Sequence, residues 1–467
     1  MTAAAPATAT RWLALVALLA GGFLPPVDFF IVNVALPSIH ESLNASPAEV
    51  QLVVSGYAAG YAVFLITGGR LGDLYGRRRC FLAGMVAFTA TNLMCGLAPS
   101  PGWLLVGRVL QGFAAAVLQP QVLGSLRALF ADERSLARAM SAYGIMMGMA
   151  AAIGQFMGGA LVQWNPMGME WRAIFLLKVP VCLLTLLAAW WVVPETAGGR
   201  RVKLDLAGSV LVSLALAATV VPLSEGRDHG WPAWVFITLA TVPVLIWAFQ
   251  RYEAQLAREG GMPLVDLSLF TIPSFRRGVL VATLFFFTTG FYVLFAIYEQ
   301  EGRGVDPIET GLAIVPYGIG LFLGPIVSAP LVRLRPRLLA IGMAIQVAGY
   351  ALVGLLVLLN TTDWVLSSAV FLAGFGQGIA FPRLFNTVLA SVPAEHAGVA
   401  AGILNSALQV GAAVCVAGVG SLFFSLLAGG SGERVYAFAF AIAQWTLTGA
   451  LFVAMLLAIP PRVRRAA

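Results

Sequence analysis

The stretch "GRLGDLYGRRR", residues 69–79, interrupts two apolar runs, 50–71 and 80–98, each long enough to cross a bilayer as a helix. About twenty residues rising about 1.5 Å each span a hydrocarbon core of about 30 Å. Three successive arginines do not enter hydrocarbon, so Arg77, Arg78 and Arg79 hold the turn in water, and the bias that keeps arginine inside puts that water on the cytoplasmic side. Gly69 and Gly76 permit a tight reversal, and Asp73 is placed to pair with a basic side chain or a helix N-terminus. The unit is a membrane-crossing hairpin with a short inner loop.

Composition extends that reading to the whole chain. Of 467 residues, 60% are hydrophobic and 10% charged, with a mean hydropathy of +0.88, against about half apolar and a quarter charged in soluble domains. A soluble fold is excluded. Lipid offers no hydrogen-bond partners, so the apolar runs are helices, and no alternating pattern suggests a barrel. The net charge of +7 does not mark a nucleic-acid surface, because the arginines sit between apolar runs, where topology accounts for them. Only Lys178 and Lys203 among the 28 basic residues are lysine, which suits a GC-rich bacterial genome. Cys80, Cys95, Cys182 and Cys415 fall inside apolar runs with no metal spacing and read as small core residues.

Helices are expected near 12–37, 50–71, 80–98, 103–127, 137–163, 171–193, 205–224, 231–250, 277–299, 308–331, 338–358, 364–388, 397–424 and 437–459, fourteen in all. With the N-terminus inside, every basic residue falls on the cytoplasmic side except Arg108, Arg172, Lys178, Arg227, Arg303 and Arg434. One helix more or fewer scrambles that bias, so an even number with both termini cytoplasmic is expected. From the short uncharged lead before Arg11, the first helix is expected to be an uncleaved anchor. The polar stretch 251–277 separates eight helices from six, and the turn "EGRDHGWP" joins two of the eight into a hairpin. The chain therefore divides into an N-terminal six-helix bundle (1–199), a two-helix insertion (200–251), a cytoplasmic inter-bundle loop (252–277) and a C-terminal six-helix bundle (278–467). A substrate site is expected at the midplane between the bundles.

The 69–79 stretch closely resembles the signature inner loop of the major facilitator superfamily, with Gly69, Leu71, Asp73, Gly76, Arg77, Arg78 and Arg79 in register. "LLVGRVLQGFAAA", 104–116, resembles the fourth-helix motif of proton-coupled members and supplies Arg108, Gln111 and Gly112; "PPVDFFIVNVALP", 25–37, resembles the first-helix motif of the fourteen-helix drug:proton antiporters. With the insertion and "PLVDLSLF" in the inter-bundle loop, the resemblance covers nearly the whole chain. It implies an all-α membrane protein with the major facilitator fold: two six-helix bundles plus a two-helix insertion, fourteen transmembrane helices and cytoplasmic termini. It also implies a multi-pass antiporter of the bacterial inner (plasma) membrane that exchanges inward protons for an outward hydrophobic or amphipathic compound. The proton gradient replaces any cofactor. Its expected partners are a small-molecule substrate, protons and the lipid bilayer, not nucleic acid, and the expected unit is a monomer.

Asp28 is the one acidic residue placed deep in an expected helix. Burial and a nearby cation act oppositely on a carboxyl, so Asp28 can load and release a proton near neutrality when both act. Arg108, costing about 2 to 3 kcal/mol inside hydrocarbon, is expected to face a cavity or a carboxylate, although snorkelling to the outer interface stays open. A structural Asp28 bonded to Asn33 also stays open. The resemblance makes Asp28 and Arg108 the proton-coupling pair and Gly69, Asp73, Gly76 and Arg77 a conformational latch. It makes Gly148, Gly154, Gln155, Gly158 and Gly159 the sliding helix of antiport type. Gln155 stands where the family pattern has proline, which keeps the packing surface, removes a kink and leaves import or a metabolite-specific exporter as alternatives. A receptor or scaffold without flux is the alternative from another class.

Lys178 stands where the pattern leads to asparagine, and Arg383 follows Pro382. If both face the cavity, cations there outnumber Asp28, which disfavours dicationic cargo and leaves neutral, monovalent or anionic compounds open. Asn33, Tyr57, Tyr61, Gln111, Gln377, Asn405 and Gln409 are candidates for the substrate cavity, with cross-helix packing as the competing role. Glu299 and Glu301 are expected to be solvated at the outer rim. No nucleotide loop, metal cluster or nucleophile with a base occurs, and His40, His229 and His396 are expected in loops, which argues against ATP drive and enzymatic activity.

Overall fold

The computed structural model describes residues 8–130, 132–196, 205–226, 229–261, 263–328, 337–392, 397–427, 430 and 432–458. Among them are sixteen α-helices and no strand. The first half holds α1 (Thr8–Leu43), α2 (Pro47–Tyr75), α3 (Arg77–Gly96), α4 (Pro101–Leu129), α5 (Glu133–Trp164), α6 (Ala173–Leu176) and α7 (Lys178–Val192). A hairpin of α8 (Leu206–Glu225) and α9 (Ala233–Arg258) follows. The second half holds α10 (Pro273–Phe285), α11 (Thr289–Ile297), α12 (Pro307–Ser328), α13 (Leu338–Leu358), α14 (Asp363–Leu389), α15 (Ala397–Leu427) and α16 (Glu433–Ala458).

Twelve segments among the described residues are long and apolar enough to cross a membrane, against the fourteen expected. Two of them are broken helices, Glu170–Val192 (through α6 and α7) and Pro273–Gly302 (through α10 and α11). The two expected spans not among the twelve are α3, which opens on three arginines, and α5, part of which lies outside the described residues. Both are long helices packed into the bundle all the same, α3 against α4 and α7, α5 against α1 and α12.

Local chemistry explains the ends. Ser46 and Glu49 form a reciprocal cap on α2: the Glu49 N–H donates to Ser46 Oγ at 3.2 Å and the Ser46 N–H to Glu49 Oε2 at 2.8 Å. That tight start lets α1 run to Leu43, past the expected end at Pro37, and places His40 in its last helical turn, not in a loop. Gly76, at φ +101°, makes the one-residue reversal between α2 and α3, a conformation glycine adopts without steric cost. The break at Leu177 follows from Pro180, which lacks the N–H that would bond the Leu176 carbonyl and sits in the first turn of α7, where proline is tolerated.

The two halves meet at the end of the molecule that carries the α1–α2 and α11–α12 turns. Gly159 of α5 lets the Pro307 carbonyl and Ile308 of α12 approach, and Gly311 of α12 lies against the Gln155 carbonyl at the distance a methyl would need. Gln300 Nε2 donates across the halves to the Val34 carbonyl at 2.9 Å, and Phe30 meets Tyr292 edge-on at 4.9 Å.

At the opposite end, the α8–α9 hairpin holds the segment that joins the halves. Asp205 accepts from the N–H groups of Gly208 (2.8 Å) and Leu264 (3.1 Å), and Glu253 accepts from the Val265 N–H (2.9 Å). The two buried carboxyls also share a side-chain hydrogen bond, and Arg70 of α2 donates to the Pro263 carbonyl. Ser209 and Thr67 meet at 3.0 Å, joining α8 to α2. Glu253 lies on the part of α9 that runs on to Arg258, beyond the end expected at 250. Only 6% of the apolar window of α9 is buried, so most of that helix is left to the lipid.

Candidate functional site

Asp28 lies in the middle of α1, one turn past Pro25 and Pro26, and is fully buried. Arg108 of α4, also fully buried, donates from Nη1 to Asp28 Oδ2 at 2.5 Å and to Gln111 Oε1 at 2.6 Å, and from Nε to the Val53 carbonyl at 3.1 Å. Gln111 Nε2 donates to Asp28 Oδ1 at 3.2 Å. The helical spacing of Arg108 and Gln111 puts both on one face, so the two residues converge on one carboxylate. Arg108 does not snorkel, and Asn33 is not the partner of Asp28.

Lys178 completes the group. As the first residue of α7 it meets Asp28 Oδ1, with its side chain 9% exposed. Three helices of one half therefore bring two cations to one carboxylate. Aromatic rings wall the cluster: Tyr57 lies 4.3 Å from the Arg108 guanidinium, and Phe175 lies 5.9 Å from Arg108 and 5.0 Å from Lys178. Tyr57 donates its hydroxyl to the Pro25 carbonyl at 3.1 Å, and Tyr61 stacks on it at 6.3 Å.

Of the candidate cavity residues, Gln111 and Tyr57 join the Asp28 cluster directly and Tyr61 joins through Tyr57. Asn33 is fully buried, and neither polar atom of its side chain has a hydrogen-bond partner. Gln377 belongs to a second cluster, in the other half: it accepts from the Tyr317 hydroxyl, which stands 2.9 Å from the Tyr350 hydroxyl. Asn405 bonds the Ala401 carbonyl of its own helix at 2.9 Å, and Gln409 lies one turn further along α15 with a buried, unpartnered Oε1. Arg383 is half-buried in α14.

The helix-five residues lie between the halves. Gly154 and Gly158 face α1, where the Val27 and Ile31 carbonyls come within about the reach of a methyl, while Gly159 faces α12. Gln155 between them is fully buried with both side-chain polar atoms unpartnered. Gly148 lies in α5, but its surroundings fall outside the described residues.

In the inner loop, Arg77 Nη1 donates to the Gly124 carbonyl of α4 at 2.7 Å, tying the turn to its own bundle. Gly69 lies against Pro120 of α4. The backbone of Asp73 is helical, and its side chain lies outside the described residues.

Two expectations change. Glu299 is not solvated: the π-helical turn Tyr298–Gly302 buries it to 1% exposure, and Arg303 pairs with it at 2.7 Å while reaching Asp363 at 2.9 Å. Glu301 does stand exposed, accepting from the Tyr436 hydroxyl at 3.2 Å. Asp28 is not alone either, since Glu253 and Glu299 are as buried within helical segments. The rim position of Glu299 read as wet because its partner, four residues on, lay in an expected loop.

Known proteins bear on this arrangement. A probable actinorhodin transporter of Streptomyces coelicolor is 34% identical over 431 residues, covering 90% of this chain and 74% of that one. A puromycin resistance protein of Streptomyces alboniger is 34% identical, covering 87% and 80% of the two chains. A tetracenomycin C resistance and export protein of Streptomyces glaucescens is 33% identical, covering 90% and 78%. Among solved structures, a bacterial homologue of the human lysosomal transporter Spinster shares the fold, with a TM-score of 0.69 at 16% identity and 97% of each chain covered. The Major Facilitator Superfamily profile matches residues 18–416. With a multi-pass helical bundle, a buried carboxylate held by cations and relatives named as transporters, this chain belongs to the Major Facilitator Superfamily of membrane transporters.

Proposed function

We propose that the protein is a proton-coupled antiporter that exports hydrophobic or amphipathic compounds, antibiotics among them, across the bacterial inner membrane by alternating access. The observation that carries this reading is Asp28, a buried carboxylate with Arg108 at 2.5 Å and Lys178 on its other oxygen. A buried carboxylate whose partners exchange is a site where proton uptake and cargo binding are coupled. The relatives named for antibiotic export and resistance support the outward direction.

In this reading the chain crosses the membrane fourteen times with both termini cytoplasmic, α3 and α5 crossing as helices shielded by their neighbours. The junction of α5 with α12 then lies on the outer side, and the contacts between halves close the site toward the outside. Helix α5 slides along α1 and α12 on its glycines, the 69–79 turn latches the inner end, and the proton gradient drives the cycle of a monomer without a cofactor.

Everted vesicles carrying the wild type or Asp28→Asn, loaded with a pH-sensitive dye and offered a panel of compounds, test the reading. Compound-dependent proton release that the variant abolishes is the expected result. Equal release from both proteins, or none with any compound, overturns it.

A further inference from the structure

The Asp28 cluster has one carboxylate and two cations, and every polar atom of the carboxylate is taken. Oδ2 receives Arg108, and Oδ1 receives both Lys178 and Gln111. Arg108 keeps one terminal nitrogen, Nη2, that is buried with no hydrogen-bond partner. Among the described residues no second carboxylate pairs with Arg108 or Lys178, whereas Arg303 at the rim has two. A buried cation without a full set of acceptors is costly, and a buried donor left unmade is costlier than a bond is strong. What the cluster lacks is an anion.

The walls say what kind of anion. Phe175 lies against both cations, and Tyr57 lies flat over Arg108 with Tyr61 stacked behind it, the two ring planes only 9° apart. A planar ring slides into such a stack, and a guanidinium with a spare edge binds a carboxylate or phenolate on that ring.

We propose that Lys178 and Arg108 form the receptor for the acidic group of an aromatic cargo, so that the exported compounds are aromatic carboxylates or phenolates and not cations. This rests on the export reading and names its substrate class. The cargo anion takes Lys178 in exchange for Asp28 Oδ1, while Arg108 keeps Asp28 through Oδ2 and offers Nη2 to the cargo. The occupied cluster is then neutral: two cations, Asp28 and one cargo anion. A cationic compound finds the Asp28 carboxylate already held twice and two positive charges beside it. An anion leaving a cell with a negative interior also moves down the membrane potential, so the charge assists export.

The test uses fluorescein as the anionic aromatic probe and ethidium as the cationic one. Fluorescence anisotropy with purified protein reads binding, and energised everted vesicles read flux. The wild type binds fluorescein and not ethidium; Lys178→Asn weakens fluorescein binding by about tenfold or more, and Lys178→Arg largely restores it, as expected for loss and return of a buried charged partner. Ethidium bound as tightly as fluorescein, or fluorescein binding unchanged in Lys178→Asn, overturns the proposal. Should Lys178→Asn fail to elute as a folded monomer, competition on the wild type decides: benzoate displaces fluorescein and tetraphenylphosphonium does not, and the reverse order overturns the proposal. Fluorescein bound without flux of any compound sinks the export reading and leaves the anion site standing. Flux of ethidium with none of fluorescein does the opposite.

Discussion

Arg108 Nη1 stands 2.5 Å from Asp28 Oδ2, with both side chains fully buried and their helices, α4 and α1, in the same half of the molecule. The pair therefore belongs to one moving body, and alternating access need not break it. In the proposed cycle what exchanges is the third member, Lys178 on the other oxygen. Removing one partner of a buried pair costs about 3 to 5 kcal/mol, because the remaining charge is left uncompensated. Arg108→Ala is thus expected to lower the thermal midpoint of the purified protein sharply, and more than Lys178→Ala, whose side chain is the less buried of the two. Equal midpoints for Arg108→Ala and the wild type would show that the cluster contributes nothing to the fold.

Gly159 admits the backbone of Pro307 and Ile308, and no larger side chain fits while α5 and α12 lie as they do. Gly159→Leu is expected to hold the halves apart at that end. A cysteine pair at Val34 and Gln300, which bond at 2.9 Å between side chain and backbone, then cross-links in the parent and far less in the leucine variant, with flux lost in parallel. Cross-linking that persists undiminished would mean α5 and α12 close by another route.

Glu195 caps a helix that is not its own. Its carboxylate accepts the Arg78 N–H at 3.0 Å and the Arg79 N–H at 3.3 Å, at the N-terminus of α3, where three arginines follow one another. Loss of a side-chain cap costs about 0.5 to 2 kcal/mol, and this site is exposed, so the lower end applies to Glu195→Ala. Chemical denaturation in detergent checks it, and an effect well above that range would point to a larger role for the inner loop.

Asp205 provides a pH test. Burial pushes its carboxyl up, but the hydrogen bonds from Glu253 and from the Gly208 and Leu264 N–H groups together outweigh burial and hold it below 3.8. A depressed carboxyl contributes stability that is complete above its unfolded value and is lost as pH falls through the folded one. The difference in thermal midpoint between the wild type and Asp205→Asn should be full at neutral pH and shrink only below about pH 4. A difference that vanishes already between pH 7 and pH 5 would contradict the assignment.

Much of this was legible in the chain. Asp28 and Arg108 stood out because a deep carboxylate and a deep arginine each need a partner in hydrocarbon, and the spacing of Arg108 and Gln111 put both on one helical face. The direction of Lys178 depends on the register in which the helix restarts after Leu177, which Pro180 by itself does not set. A π-turn and a partner in the following loop bury Glu299, a residue that rim position alone makes wet. The part of α9 beyond 250 carries Glu253, whose bonds to the Val265 N–H and to Asp205 have no pattern within α9 to announce them. The cluster of Tyr317, Tyr350 and Gln377 joins three helices through hydroxyls and an amide, and such meetings leave no trace in periodicity.

In the α8–α9 hairpin, α8 packs against α2 and α15 while α9 faces mostly outward, and the pair also holds the backbone segment that tethers one half to the other. Cutting out 206–258 to make a shorter transporter would take Glu253 from the Val265 N–H and Gly208 from Asp205, the carboxylate that holds the Leu264 N–H. The insertion is therefore no ornament that evolution or an engineer can lift away in one step.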